Sequence, residues 1–135
     1  MNTIALDIVT PNGTVFHDDE CEIVVVNSVQ GELGIMAGHV PVVAALKIGV
    51  LRAKINGVTE MFAVTDGFCE IRPNKVTAFV QAAEFAKDID TERAMEARDR
   101  AEALLQKLQD ERVDDFEART ALLRATNRLN VAKGK

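Results

Sequence analysis

Two changes of rhythm along the chain predict an α+β protein, with an N-terminal all-β sandwich over residues 1–86 and a C-terminal antiparallel two-helix hairpin over residues 87–135. The first is the placement of turn-formers: seven of the eight glycines and all three prolines lie before Lys87, and beyond it the only glycine is Gly134. The second is the period of the apolar residues, which alternate in the first half and recur every three or four positions in the second.

The elements follow in order. Ile4, Leu6 and Ile8 alternate with Thr3, Ala5 and Asp7, a strand with one apolar face. Pro11-Asn12-Gly13 is a turn, because Pro fixes φ and Gly accepts positive φ. The β-branched run Ile23 to Val26 reads as a strand buried on both faces. Val50 to Ile55 and Val58 to Val64 flank Asn56-Gly57, the dipeptide favoured by a type I′ hairpin. Phe68 to Ile71 and Val76 to Val80 flank a second turn, Arg72 to Lys75. Short strands at this spacing predict a sandwich or barrel, and the sandwich is the reading adopted. After Lys87, Ala94, Ala97, Ala101, Leu104 and Leu108 form one helical stripe, with Asp90 or Thr91 as N-cap. Gln109 to Arg112 interrupt it, and Ala118, Leu122, Ala125 and Leu129 form a second stripe. Alanine seams allow close approach but bury little area, so the hairpin is expected to be held less firmly than the sandwich.

Composition excludes several classes of function. Aromatics are 4% of the chain, with no Trp or Tyr, which leaves no flat platform for sugars or stacked bases. The formal charge of -5 opposes whole-protein attraction to nucleic acid. No apolar run approaches the ~20 residues that span a bilayer, and with alternation from the first residues no signal peptide is expected. Cys21 and Cys69 form no CxxC pair, and a soluble, cytoplasmic protein is the expectation.

Three features carry candidate chemistry. Residues 31–41, with Gly31, Gly34 and Gly38, read as a loop with unusual backbone angles. It lacks the spacing of a phosphate-binding loop, so a structural role or a protein contact is preferred. His17 and His39 stand at no zinc-ligand spacing, and Asp18, Asp19 and Glu20 beside His17 read as a solvated turn. Cys69, inside a strand pattern, reads as a small buried hydrophobe rather than a nucleophile. Beyond Lys87 the helical half prefers Arg to Lys, carrying Arg93, Arg98, Arg100, Arg112, Arg119, Arg124 and Arg128 against Lys107, Lys133 and Lys135. Interleaved acids make a solvated face with i,i+4 pairs the plain reading. Arg124 and Arg128, one turn apart with no carboxylate after Glu117, are locally basic and suit an acidic partner or a phosphate.

Gly31-Glu32-Leu33-Gly34-Ile35, Gly38-His39-Val40-Pro41 and Leu46 to Leu51, followed by Ala63 to Ile71 and Pro73 to Thr77, resemble the signature blocks of F-type ATP synthase epsilon subunits. The resemblance extends over essentially the whole chain. It implies a ten-stranded β-sandwich, a helical hairpin and no catalytic residues. It also implies a place on the central stalk, where the sandwich binds the gamma subunit and the c-ring, with Glu32, Gly34 and His39 in the rotor-contact region. The hairpin of the family restrains ATP hydrolysis when it extends along gamma toward the alpha and beta subunits. Such a subunit needs no cofactor, contacts no nucleic acid, does not insert in the membrane, and sits peripherally on the cytoplasmic face of the cell membrane.

A second part of the resemblance concerns a ligand. Ile89-Asp90-Thr91-Glu92-Arg93-Ala94 matches the Ile-Asp-x-x-Arg-Ala motif through which some bacterial members bind regulatory ATP. Glu84 falls where an adenine-contacting Glu is expected, and Arg100, Arg124 and Arg128 resemble the phosphate-reaching arginines. The carboxylates of Asp90 and Glu84 can accept from the adenine amino group or ribose hydroxyls, while Arg neutralises phosphate. The plain alternative makes Asp90 an N-cap and Arg93 a surface residue. Two rivals to the subunit reading are a free-standing ATP-sensing module and a small enzyme using His39 or Cys69.

Overall fold

The computed structural model describes residues 2–111 and 115–134, so Arg112 and Lys135 lie outside the described residues. The chain forms two compact units, Met1–Phe85 and Ala86–Lys135. The first holds β1 (Ile4–Thr10), β2 (Gly13–Cys21), β3 (Ile23–Ser28), β4 (Gly31–Ile35), β5 (Val42–Leu46), β6 (Gly49–Ile55), β7 (Val58–Val64), β8 (Gly67–Ile71), β9 (Lys75–Val80) and β10 (Ala83–Phe85). They hydrogen-bond in the order β10-β7-β6-β3-β5-β8-β9-β1-β2, with β4 added to β3. Of these pairings only β1 with β9 is parallel. β3 and β5 share a single rung, Ser28 opposite Leu46. There the sheet folds over into two layers, the expected sandwich.

The core lies between those layers. Ile4, Leu6 and Ile8 point inward as their alternation predicts, and they meet Val24, Val26, Leu51 and Phe62 in one buried cluster. Phe16 on β2, Phe62 on β7 and Phe85 on β10 form an aromatic triplet, with centroid distances of 4.9, 4.3 and 5.4 Å. The triplet joins the two edge strands of the sheet across the core, in tilted and edge-on geometries that such rings favour.

Several local expectations change. Within the run, β3 buries Val24 and Val26, while Ile23 and Val25 are half-buried. A two-layer sandwich gives each strand one inner face, so a continuous β-branched run need not mean burial on both. The stretch expected to be a loop over 31–41 begins as strand β4, whose backbone pairs with β3 from Gly31 opposite Ser28 to Ile35 opposite Val24. Main-chain pairing needs no side chain, and the Gly-rich composition concealed it. His17 to Glu20 are not a turn but the second half of edge strand β2. From His17 to Glu20 this edge strand is polar on both faces, so that stretch carries no alternation signal. The Asn56-Gly57 turn is as expected, with φ of 51° and 79°.

Two glycines are fixed by close approach. A Cβ at Gly49 would stand 3.0 Å from Cγ of Asn27, whose Oδ1 accepts the Val50 N–H at 2.8 Å. A Cβ at Gly67 would run into the carbonyl oxygen of Phe79, with Cα of Val80 at 2.9 Å.

The second unit holds a short 3-10 turn at Ala86–Asp88, α1 (Thr91–Asp110) and α2 (Phe116–Ala132), with α1 packed on α2. Asp90 is the N-cap of α1, its carboxylate accepting the Arg93 N–H at 3.1 Å. Asp115 caps α2 likewise, accepting from the Ala118 N–H at 3.1 Å. α1 continues through Asp110, and the interruption read at Gln109 to Arg112 begins only at Glu111, the C-cap. Within the seams Ala94, Ala101, Ala118, Ala125 and Leu129 are buried, and Leu104 is exposed.

Gly67→Ala is expected to cost about 3 kcal/mol, because the clash is with backbone that cannot turn aside. Gly34→Ala, whose Cβ would meet only Ile23 Cδ1 at 3.6 Å, is expected to change stability by less than about 1 kcal/mol. Urea unfolding of both variants checks the contrast.

Candidate functional site

β4 and β5 border an open groove of about 440 Å³ on the sandwich. Glu32 and His39, both expected in the rotor contact, line it together with Val29, Val42 and Val43. Gly34 lies in the same strand as Glu32, opposite Val25. Arg52 of β6 faces Glu32 at 3.8 Å. Nδ1 of His39 is 2.7 Å from the Val40 carbonyl, to which it donates. The loop that carries His39 is anchored by the Gly38 N–H, which donates to the Pro73 carbonyl at 2.7 Å. Val29, Met36, Val40, Val42 and Val43 all expose their side chains here, Val40 to 73%. Clustered exposed apolar side chains beside a few polar groups have the character of a protein contact.

Sequence reasoning missed a second exposed apolar surface. Phe68 on β8 and Phe79 on β9 stand opposite one another and stack at 5.1 Å, both partly exposed. With Val9 and Pro11 they line a groove of about 310 Å³. The signal was present, since residues equidistant from the Arg72 to Lys75 turn pair across the hairpin.

The motif at the start of α1 divides by burial. Ile89 and Ala94 are buried, so they hold the helix start in place. Asp90 spends one oxygen on the cap and is itself exposed. Arg93, Arg100 and Arg124 are exposed, and Arg128 is half-buried. Each of the four directly precedes a buried seam residue: Ala94, Ala101, Ala125 and Leu129. In an antiparallel helix pair those positions fall on the same side of both helices. The four arginines therefore share one side of the hairpin, with Arg100 level with the turn of α2 between Arg124 and Arg128. Nε of Arg100 donates to the Glu96 carbonyl at 3.4 Å. Arg98, by contrast, pairs with the adjacent Asp99 at 3.2 Å. Glu84 belongs to the other unit, half-buried on β10 opposite Ala63.

The cysteines lack the chemistry of nucleophiles. Both are fully buried, and burial, with Asp18 adding to it, pushes the Cys21 thiol up to about 11. Burial also raises Cys69, against a weaker opposing hydrogen bond from the Ala44 backbone. Both thiols stay protonated at neutral pH. No group of three metal-ligating side chains occurs among the described residues. No helix among them is long and apolar enough to cross a membrane.

A sandwich that presents two exposed apolar surfaces, followed by a helical hairpin, is the build of a subunit that works by contact. Residues 3–86 match the family described as the ATP synthase Delta/Epsilon chain beta-sandwich domain, and residues 87–133 match its long alpha-helix domain. The chain belongs to this family, within its epsilon chains. It is 51% identical over 135 residues to the ATP synthase epsilon chains of Staphylococcus aureus strains JH9 and Newman, with 100% of each chain covered. Among solved structures, it resembles a chain of the Euglena gracilis mitochondrial ATP synthase (OSCP/F1/c-ring), with TM-score 0.71 and 19% identity over 98% of this chain and 79% of that one. A chain of the Tetrahymena thermophila mitochondrial ATP synthase central stalk/c-ring matches with TM-score 0.60 and 13% identity over 99% and 98%. At these identities the structural likeness speaks for the fold alone.

Asp90→Ala is expected to lower the stability of the hairpin by about 1 kcal/mol, the usual cost of losing an N-cap, and Asp90→Ser is expected to restore most of it. Helix content followed by circular dichroism during thermal unfolding checks both.

Proposed function

We propose that the chain is a non-catalytic central-stalk subunit of a proton-translocating F-type ATP synthase, peripheral on the cytoplasmic face of the cell membrane. In this reading the sandwich couples the gamma subunit to the c-ring, and the hairpin restrains ATP hydrolysis by engaging the alpha and beta subunits. The observation that carries the reading is the family match, which runs through both units from residue 3 to residue 133. Two separate exposed apolar surfaces on the sandwich, around His39 and around Phe68, suit a unit that holds two partners at once. The region of Glu32, Gly34 and His39 is the rotor contact on this account.

ATP is the regulatory ligand in this proposal, and no other cofactor is required. Arg93, Arg100, Arg124 and Arg128 on one side of the hairpin suit a polyphosphate, which arginine forks neutralise with directed hydrogen bonds. Asp90 keeps a carboxylate oxygen for an amino or hydroxyl donor beyond its capping bond. Ile89 and Ala94 act by fixing the helix start. A ligand spanning both helices favours the closed hairpin only by its differential affinity for that state, and so relieves inhibition. The other reading, a free-standing ATP-sensing module, is separated by whether the chain co-purifies with a gamma subunit.

Calorimetric titration of the isolated chain with ATP is expected to show saturable binding that Arg93→Ala weakens about tenfold, the loss of roughly 1.4 kcal/mol. Absence of binding at millimolar ATP would reduce the motif to a helix cap. In the assembled enzyme, removing residues 87–135 is expected to raise ATP hydrolysis at low ATP. Equal rates with and without those residues would remove the regulatory role while leaving the coupling role standing.

A further inference from the structure

The Phe68–Phe79 groove and the His39 groove fall within the partner contacts already proposed, whereas one polar cluster on the sandwich has no part in that function. His17 on β2 stands between two carboxylates. Its Nδ1 bonds Oδ1 of Asp7 on β1, and its Nε2 lies 2.9 Å from Oδ1 of Asp19 on its own strand. The other oxygen of Asp7 is held by Nζ of Lys75 on β9 at 2.8 Å. Three neighbouring strands, β9, β1 and β2, are thus tied by a chain of side chains at the edge of the sheet.

We propose that His17 is a proton-operated clamp on this edge: doubly protonated, it holds Asp19 to Asp7, and on losing a proton it releases Asp19. The geometry carries the inference. Ionised carboxylates only accept hydrogen bonds, so a carboxylate oxygen this close to each ring nitrogen requires the imidazolium. A neutral ring keeps one N–H. Asp7 is the better placed partner, being mostly buried and fixed by Lys75, so that N–H remains on Nδ1. The Nε2 lone pair then faces Asp19 Oδ1, acceptor against acceptor, and Asp19 must turn away.

The backbone around Asp19 is poorly held by other means. The β1–β2 ladder is irregular between the rungs Leu6–Asp18 and Ile4–Cys21, which leaves Asp19 and Glu20 opposite Ala5 alone, in a bulge. The Glu20 N–H donates to Asp18 Oδ1 on its own strand at 2.8 Å. The side-chain clamp substitutes there for a missing rung.

The charged surroundings favour the imidazolium. The hydrogen bond from Asp7 raises the affinity of His17 for its proton most; desolvation opposes it, and the charges of Asp7 and Asp19 add to it. Burial pushes the Asp7 carboxyl up, but its bonds to Lys75 and His17 outweigh that and hold it below its usual range. On β6, which packs near β2, Arg52 is turned to Glu32, and Lys54 is the other cation. On β8, Glu70 is paired with Arg72 at 2.6 Å.

The sign follows from these directions. His17 binds its proton more tightly folded than unfolded, so the clamp is fully present below the ordinary imidazole value of about 6.5 and is lost as pH rises through the higher folded value. Asp7 is shifted down, so its contribution is present above about 3.9 and fails as pH falls through its lower folded value. The clamp therefore opens on the alkaline side.

A histidine titration by NMR on the intact chain tests this, with His39 as internal comparison. His17 is expected to titrate above about 6.5, and the backbone amides of Asp19 and Glu20 to move with the same midpoint. Asp19→Asn, at an exposed position that leaves the fold intact, is expected to lower that midpoint. His17→Gln is expected to leave the two amides insensitive to pH through the range in which they respond in the unaltered chain. A His17 midpoint at or below the ordinary value, a midpoint indifferent to Asp19→Asn, or amides that do not follow the ring would each overturn the clamp.

Discussion

Packing between the inner faces of the two sheet layers sets the position of every functional feature on the sandwich. The core from Ile4 to Val80 is made of large aliphatic side chains around Phe62, with most members at or near zero exposure. Burying a Leu, Ile or Phe side chain contributes about 1.5–3 kcal/mol, so this cluster dominates the stability of the unit. The layers are continuous through only the Ser28–Leu46 rung. Their union therefore depends on side-chain packing, with Phe16, Phe62 and Phe85 joining the free edges. Because that core is rigid, the loop from Met36 to Pro41 and the outward pair Phe68 and Phe79 are presented in fixed positions.

The hairpin rests on weaker terms. Of its seven buried hydrophobic residues among those described, four are alanines, each offering a single methyl group. A buried CH2 or CH3 contributes about 0.8 kcal/mol, a fraction of what a core leucine supplies. The caps at Asp90 and Asp115 recover about 1 kcal/mol each. Such a unit keeps its shape but opens at modest cost, which is what a regulatory element needs if contacts or a ligand are to change its state. A seam built of leucines would hold more firmly and respond less.

Legibility in the sequence followed the strength of the side-chain signal. The alternation at Ile4, Leu6 and Ile8, the Asn56-Gly57 turn and the two helical stripes each reflect burial on one face, and the structure has those elements. Strand β4 escaped notice because Gly31 and Gly34 contribute backbone pairing and almost no pattern. The second half of strand β2 escaped because His17 to Glu20 are polar on both faces, which made them read as a solvated turn. The cluster that His17 forms with Asp7 and Lys75 joins residues from three strands, and no local spacing announces it. Resemblance to a family brought forward Glu84, Arg93 and the other arginines. The helical period then puts Arg93, Arg100, Arg124 and Arg128 on one side of the hairpin, a relation implicit in their placement just before the seam residues.

One chain of the ATP synthase epsilon family thus carries both a firmly packed contact platform and a loosely held helical pair, and its function rests on this difference in firmness. Native-state hydrogen exchange of the intact chain measures it most directly, because each amide reports the free energy of the opening that exposes it. Amides in the interior of α1 and α2 are expected to exchange through an opening several kcal/mol below the one that exposes β8, β9 and β1. Exchange of helices and strands at one common free energy, through a single global unfolding, would contradict it.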